Sequence, residues 1–183
     1  MAEGNADKAA RAKTAGDIMI PLEKYPHVSI TTPIRDVIAL MEKSQIEVEG
    51  RKSLPRVVLV FDELNQLAGL VRRRDIMRAL EPSYLTHRPM DYRKKLFDVK
   101  VDPNLVEMAY EKITKGLDKR SQRPVSEAML PIIATVDYED HIVKVIYEMV
   151  DNNTSLLPVL KQGKVVGVVR SVDVLHEVAL ILL

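Results

Sequence analysis

The sequence contains no cysteine and no tryptophan among its 183 residues, and aromatic residues make up only 4%. Without cysteine the chain has no disulfide, no thiolate metal ligand and no cysteine nucleophile. The low aromatic content argues against a base-stacking surface for nucleic acid. Lys plus Arg number 27 and Asp plus Glu 26, so the net charge of +1 gives no electrostatic reason to expect nucleic acid or an anionic membrane as a partner.

Long hydrophobic runs are also missing. The longest apolar segment, Val178 to Leu183, falls far short of the roughly 18 residues that a membrane-spanning helix needs. Residues 1–17 are polar and lack the apolar core of a signal peptide. Residues 1–13 are small and charged without an apolar period, which predicts a flexible tail. We therefore expect a cytoplasmic protein with no membrane partner.

Motifs for catalysis and for metal binding are absent from the sequence. The four histidines, at 27, 87, 141 and 176, show no spacing typical of metal ligands. The chain has no phosphate-binding P-loop, no glycine fingerprint for a dinucleotide and no Gly-x-Ser-x-Gly nucleophile motif. Carboxylates are plentiful, but nothing marks a catalytic pair. The sequence thus predicts a protein without catalytic residues, metal site or required cofactor, and not an enzyme.

The chain does contain an internal repeat. Four anchors recur in the same order, and their offset falls from 110 to 98 residues, so the first copy carries 12 additional residues, which we expect in loops. The matched pairs are 16–19 with 126–129, 34–41 with 142–149, Pro55 with Pro158, and 69–76 with 167–174.

Each copy predicts the element order β-α-β-β-α. Apolar residues at 34, 37, 38 and 41, and again at 142, 145, 146 and 149, have the spacing of an amphipathic helix. Valine-rich runs typical of strands follow each helix, and a second helix ends each copy. The predicted strands are 28–31, 57–61 and 67–71, then 134–137, 156–160 and 165–169; the last helices are 76–80 and 172–182.

A connection of about forty residues separates the copies, and a structureless loop of that length would be unusual. Asp102 and Pro103 favour a helix start and Gly116 a helix end, so we predict one helix that packs against a repeat. The predicted organisation is a tail at 1–13, a first repeat at 14–81, the connection at 82–122 and a second repeat at 123–183.

The repeated β-α-β-β-α order, the opening Asp-Ile-Met and the Gly-to-Asp motif entering a helix resemble a tandem pair of CBS (cystathionine β-synthase) domains, a Bateman module. The resemblance implies an α/β (α+β) fold in which two repeats pack as a pseudo-symmetric pair with clefts between them. It implies a regulatory module that binds AMP, ADP, ATP or another adenosine-containing small molecule, pairs into homodimers through its helices and acts on a partner protein that the sequence does not identify.

The same resemblance assigns roles to Asp75 and Asp173, each six residues after a glycine. In the family the matching carboxylate accepts hydrogen bonds from ribose hydroxyls. The alternative is that each aspartate merely caps its helix or complements the helix dipole.

Arg72 and Arg170 stand where the family usually has a threonine or serine that contacts phosphate. Arginine can hold phosphate in bidentate geometry, and Ser171 could supply a hydroxyl. The run of arginines at 72–74 would suit a polyphosphate or a dinucleotide; the alternative is a solvated strand end. If Arg72 and Arg170 turn inward and pair with the two aspartates, the clefts are self-occupied, which would favour a structural dimerisation or adaptor module that binds no nucleotide.

The adenine contacts implied by the family come from the start segment of each repeat and from the residues around the matched prolines. Methionines at these positions are alternatively core residues, and Gly69 and Gly167 would allow a close backbone approach or simply sheet packing. We further expect the apolar last helix to be covered by a dimer partner or by the connection helix. The candidate base contacts are Thr14, Asp17, Met19, Pro55, Arg56, Ser126, Met129, Leu157 and Pro158.

Overall fold

The computed structural model describes residues 13–48, 50–82 and 110–183, with the side chains of 110–113 left aside. It confirms the mixed α/β class and the β-α-β-β-α order of both repeats. The predicted flexible tail, apart from Lys13, and the predicted helix start at Asp102 and Pro103 lie outside the described residues.

The first repeat begins with a short helix, α1, and ends with the amphipathic helix α3. The strands β2, β5 and β6 form one sheet, in which β5 lies between parallel β2 and antiparallel β6. The elements are α1 Ala15–Ile18, β1 Ile20–Pro21, β2 His27–Ser29, α2 Ile34–Lys43, β3 Ile46–Val48, β4 Arg51–Ser53, β5 Val57–Phe61, β6 Leu67–Arg72 and α3 Arg73–Leu80.

The second repeat follows the connection helix α4 and repeats the same pattern. Its sheet has the order β1-β9-β8-β7, so it includes one strand from the first repeat. A two-residue turn with positive φ at Gln162 and Gly163 joins β8 to β9, as a tight hairpin requires. The elements are α4 Tyr110–Ser121, β7 Val136–Asp137, α5 Ile142–Asp151, β8 Leu156–Lys161, β9 Lys164–Arg170 and α6 Ser171–Leu182.

The central strands are buried on both faces, which explains their nearly continuous apolar sequence. In β5, Val58 and Val60 pack against the helices of their own repeat. Val57 and Leu59 point the other way and join Val168 of the second repeat in a shared cluster. The strand period of two therefore places each sheet between its own helices and the opposite repeat.

The start segments of the two repeats are exchanged. Ala15 and Ile18 of α1 are buried in the core of the second repeat, whereas Val125 and Ala128 are buried in the core of the first. Lys13, at the edge of the first segment, forms an ion pair with the buried Glu177 of α6. We call residues 13–20 and 123–130 the exchanged segments, since each completes the other repeat.

Backbone pairing holds the exchanged segments in place with approximate twofold symmetry. Ile20 pairs with Val168, and Leu130 forms the equivalent bridge to Leu70. A Cβ atom on Gly69 would collide with the carbonyl oxygen of Leu130, and one on Gly167 would meet the equivalent carbonyl of Ile20. These two glycines therefore serve the close approach of the exchanged segments to β6 and β9.

The strand register corrects one anchor of the sequence comparison. Val60 lies opposite Gly69 and Val159 lies opposite Gly167, so these valines are equivalent positions. Pro158 is therefore inside β8, paired with Val168, whereas Pro55 precedes β5. The match of Pro55 with Pro158 was wrong because strand pairing, rather than the proline, sets the register.

Most of the additional residues of the first repeat form a hairpin rather than a loop. The strands β3 and β4 pair antiparallel, with Ile46 opposite Ser53. Gly50, with a positive φ of 77°, lies in the turn between them. The second repeat has only residues 152–155 between α5 and β8, so it contains no counterpart of this hairpin.

The connection helix α4 packs against α2 and α3 of the first repeat. The Nε of Arg120 donates a hydrogen bond to the carbonyl oxygen of Leu80 at 2.8 Å, which ties the two elements together. The helix runs through Gly116 and ends at Ser121. The predicted end at Gly116 was therefore wrong, since packing against the first repeat outweighs the weak helix propensity of glycine.

The corresponding helical side of the second repeat is exposed and apolar within the described part of the chain. On α5, four residues at helical spacing face outward, and α6 adds several more. We call this surface the α5/α6 face. No helix among the described residues is long and apolar enough to cross a membrane. The face comprises Val143, Ile146, Tyr147 and Val150 of α5 with Leu175 of α6 and the exposed last turn of that helix, Leu180, Ile181 and Leu182.

Candidate functional site

Asp75 and Asp173 occupy equivalent positions, each the third residue of a helix that follows directly on a strand. Helix α3 begins at Arg73, three residues earlier than the sequence predicted, and this brings Asp75 into the first turn. Both aspartates are only 5% exposed. A buried carboxylate needs compensating donors, and in both repeats an arginine of the preceding strand supplies them.

Arg170 and Asp173 form a two-pronged ion pair. The Nε of Arg170 lies 2.6 Å from Oδ2 of Asp173, and its second terminal nitrogen lies 2.8 Å from Oδ1. The remaining terminal nitrogen donates to Oγ of Ser53 at 2.9 Å. The guanidinium is thus held from both repeats, because Ser53 belongs to the β3–β4 hairpin of the first.

Arg72 and Asp75 make the equivalent pair in the first repeat, at 2.8 Å and 3.0 Å. The backbone N–H of Arg72, the N-cap residue of helix α3, also donates to Oδ2 of Asp75 at 3.1 Å, so Asp75 supplies the N3 side chain of a capping box, in keeping with the capping alternative. Burial raises the pKa of the Asp75 carboxyl, but the hydrogen bonds and charge of Arg72 lower it by more, so its pKa lies below the usual value.

A cleft of about 270 Å³ lies between the repeats beside Arg170. Its walls come from the hairpin and β5 on one side and from the starts of β8 and α6 on the other. The N–H of Ser171, the first residue of α6, donates to the carbonyl oxygen of Ser155 at 2.9 Å, which closes the edge of the cleft. The lining residues are Tyr25, Ile46, Ser53, Leu54, Arg56, Val57, Ser155, Leu156, Arg170, Ser171 and Val172.

The cleft has an apolar wall and a positive end. Arg56 and Arg170 are the charged residues among those that line it. Burial raises the pKa of the Tyr25 phenol above its usual value, with Asp173 adding to this effect and Arg170 opposing it. The phenol therefore stays protonated and donates to the carbonyl oxygen of Val57 at 3.0 Å.

Three of the predicted site residues line this cleft, namely Arg56, Arg170 and Ser171. Asp173 lies next to it, with both carboxylate oxygens facing Arg170. Pro55 is buried immediately before the cleft residue Arg56. The geometry thus brings together the residues around one Gly-to-Asp motif and those around Pro55.

The other predicted base contacts lie outside the lining of this cleft. Thr14 donates to Asp17 from both its N–H and its hydroxyl, so this pair forms the start of α1. Met19 and Met129 pack against the hydrophobic cores of opposite repeats, as the alternative interpretation predicted for methionine. Leu157 is fully buried in the core and Pro158 lies within β8, while Ser126 hydrogen-bonds through its N–H to Ile30.

Arg72, Arg73 and Arg74 do not act as one positive patch. Arg72 pairs with Asp75, and the N–H of Arg73 donates to the carbonyl oxygen of Arg56 at 3.3 Å. Arg74 instead borders a groove between α3 and α4. All three residues are exposed, so the run of arginines is divided between a helix start and a helix surface.

Sequence reasoning missed the contribution of the hairpin and of Tyr25 to the cleft. Ile46 and Ser53 lie in residues that have no counterpart in the second copy, so the repeat comparison carried no information about them. The signal that could have found the hairpin is the alternation of apolar and polar residues at 46–49, directly before Gly50. Nowhere in the described ranges do three or more His, Asp or Glu residues converge in a way that could hold a metal ion.

The family model described as "CBS domain" matches residues 15–82 and 125–180, which together make up more than half of the chain. The two matched segments contain both Gly-to-Asp motifs and most of both exchanged segments. No curated protein sequence shows a significant match to this chain.

Solved structures with the same fold span nearly the whole chain. A CBS domain-containing protein of unknown function from Kribbella flavida is 17% identical, with a TM-score of 0.62, and the match covers 91% of this chain and 99% of that one. CBSX2 in complex with AMP is 18% identical, with a TM-score of 0.59, covering 93% and 98%. The cytosolic domain of the Mg²⁺ channel MgtE in complex with ATP is 20% identical, with a TM-score of 0.56, covering 93% and 52%.

Proposed function

This chain belongs to the CBS domain family, and we propose that it is a non-catalytic regulatory module that binds an adenine nucleotide in the cleft between its repeats. The observation that carries the proposal is the arrangement at the start of α6. There, Asp173 lies beside a cleft that contains an apolar wall and two arginines. Two proteins of the same fold were solved with AMP and with ATP, which supports this ligand class.

The cleft offers each part of a nucleotide a suitable chemical partner. Asp173 would accept hydrogen bonds from ribose hydroxyls, since a carboxylate can accept from two hydroxyls at once. Arg56, Arg170 and the hydroxyl of Ser171 would contact phosphate at the N-terminus of the twelve-residue helix α6. The apolar side chains of Ile46, Leu54 and Val172, among others in the wall, would contact the base.

Regulation would arise because the cleft is built from both repeats. A ligand shifts a conformational equilibrium only by the difference between its affinities for the two states. A nucleotide that contacts the hairpin of the first repeat and α6 of the second would favour one relative placement of the repeats. We propose that a partner protein of the cytoplasm senses this placement.

A second candidate function is a structural adaptor whose clefts bind no nucleotide. Both aspartates that would contact ribose already pair with arginine, the situation that favours self-occupied clefts. Among the described residues, every buried side-chain nitrogen or oxygen already has a hydrogen-bond partner within the protein, so no such atom requires a ligand. The family's nucleotide-bound members and the open volume of the cleft favour the sensor.

We also propose that the chain forms a homodimer through the α5/α6 face. On α5 the outward residues Val143 and Val150 are apolar, whereas the equivalent residues of α2 are Arg35 and Glu42. The first repeat instead has α4 packed on its helices. An exposed apolar surface of this kind is typical of an interaction site.

Isothermal titration calorimetry with AMP, ADP and ATP tests the nucleotide proposal. Ligand-free wild-type protein should bind at least one of them, and Asp173→Ala should weaken binding at least about tenfold, equivalent to roughly 1.4 kcal/mol. Asp75→Ala tests whether the equivalent aspartate of the first repeat also contributes to nucleotide binding. Asp36→Ala, at an exposed position on α2, is the control. Folded protein that releases no heat with any nucleotide would support the adaptor instead.

A further inference from the structure

Arg170 stands between the cleft and the carboxylate that would hold ribose. Its guanidinium donates to both oxygens of Asp173 and to Ser53, and its side chain is 14% exposed. The free volume beside it, about 270 Å³, is slightly below the roughly 300–1,000 Å³ of typical ligand sites. Because Asp173 is only 5% exposed and both of its carboxylate oxygens face this guanidinium, a ribose that reaches Asp173 displaces Arg170.

We propose that Arg170 is a specificity-determining residue that opens this cleft to phosphate-bearing nucleotides and keeps out uncharged nucleosides and cationic adenosyl compounds. The inference rests on the proposed function and names the ligand class of the same site. Arg170 would release Asp173 to the ribose and turn to the phosphate, exchanging one anionic partner for another.

The selectivity follows from what happens to the arginine charge. A nucleoside that takes Asp173 leaves the guanidinium without an anion in a partly buried site, which is unfavourable. A phosphate restores a charge-assisted, bidentate pair with Arg170, and Arg56 lies in the same cleft to share it. A sulfonium compound such as S-adenosylmethionine would instead add a third positive charge beside these two arginines.

Ser53 sets how readily Arg170 moves. It belongs to the β3–β4 hairpin, which the second repeat lacks, and it contributes the third partner of the guanidinium. Removing its hydroxyl should make release of Asp173 easier for any ligand without changing the charges of the cleft. The hairpin thereby couples the first repeat to the ligand affinity of the site in the second.

Calorimetric titration of AMP, adenosine and S-adenosylmethionine into full-length protein tests the inference. Wild-type protein should bind AMP at least about tenfold more tightly than adenosine, the size of one charge-assisted hydrogen bond. In Arg170→Ala, binding of AMP should weaken and binding of adenosine should strengthen, so that their affinities converge. Ser53→Ala should strengthen binding of both while keeping their ratio.

The controls separate this inference from the proposed function. Arg35→Ala removes an exposed arginine of α2 outside the cleft lining and should keep the wild-type ratio. If Arg170→Ala folds poorly, Arg170→Lys keeps the charge but loses the fork, and should weaken AMP more than adenosine. An AMP-to-adenosine ratio that is unchanged in the Arg170 variants overturns the inference alone. Absence of any binding to wild-type protein overturns the proposed function together with it.

Discussion

Arg72 and Arg170 are equivalent residues of the two repeats, yet the side chain of Arg72 is 49% exposed and that of Arg170 is 14% exposed. The difference comes from the hairpin, since Ser53 and the neighbouring cleft wall enclose Arg170. Two ion pairs of the same sequence spacing therefore lie in different environments, and this predicts different contributions to stability.

The first prediction compares Asp173→Asn with Asp75→Asn. Loss of the Asp173 charge leaves the enclosed Arg170 unpaired and should lower the free energy of unfolding by about 3–5 kcal/mol, the range for breaking a buried ion pair. Arg72 can turn toward water, so Asp75→Asn should cost less than about 2 kcal/mol. Urea denaturation of both variants measures the two losses. Equal losses would show that the hairpin does not isolate Arg170.

The second prediction concerns the dependence of stability on pH. Because the pKa of Asp75 is lower in the folded protein than its ordinary value of 3.8, the folded state favours the ionised form. The contribution of the ionised Asp75 carboxylate to the free energy of unfolding is fully present above pH 3.8 and is lost as the pH falls through the lower pKa of the folded state. The stability difference between wild-type protein and Asp75→Asn should thus be constant between about pH 5 and 8 and shrink below pH 3.8.

Thermal or urea denaturation across this pH range provides the measurement. Asp36→Asn on α2 serves as the control, because Asp36 is exposed. A difference between wild-type protein and Asp75→Asn that stays constant down to the acid-unfolding limit would contradict a lowered pKa for Asp75.

The element order could be predicted because local spacing determines it. Three of the four apolar positions predicted to face the core on α5, Ile142, Val145 and Met149, are buried, whereas Ile146 is 36% exposed. The continuous apolar run at 57–61 likewise predicted a strand, and the bounds of β5 agree with that prediction. Both patterns report which residues are buried, and they do so without reference to distant parts of the chain.

The partners of buried residues could not be predicted in the same way. Ile18 lies in the matched start segment 16–19, but the neighbouring residues in the sequence do not indicate that its side chain packs in the second repeat rather than the first. The same limit applies to Pro158, whose register depends on pairing with Val168. The cleft shows it again, since Ser53 reaches Arg170 across 117 positions of sequence.

The third prediction tests the exchanged segments. Ile18 lies in the core of the second repeat, so Ile18→Ala should lower the free energy of unfolding by about 2–5 kcal/mol. The loss should appear first in the second repeat, as faster hydrogen exchange of the amides of β8 and β9 rather than those of β5. Met77→Ala, at an exposed position of α3, should change stability by less than about 0.5 kcal/mol. Faster exchange confined to β5 would contradict the exchange of segments.

The last prediction concerns the α5/α6 face and the proposed homodimer. Val150 is 76% exposed at the outward side of α5, so its replacement by lysine should have little effect on the folded protomer. In a dimer that buries this face, Val150→Lys would place a charge in an apolar interface, where an unpaired charge is strongly unfavourable. Light scattering coupled to size-exclusion chromatography should then show a dimer for wild-type protein and a monomer for Val150→Lys.

Leu64→Lys is the matched control, since Leu64 is 78% exposed in the turn between β5 and β6 and lies off the α5/α6 face. It should remain a dimer at the same concentration. Dimers of both variants would place the interface elsewhere, and a wild-type monomer at micromolar concentration would refute the homodimer. In a wild-type monomer the α5/α6 face would remain uncovered, because α4 packs on the helices of the first repeat. This apolar surface would then be the binding site of the regulated partner protein.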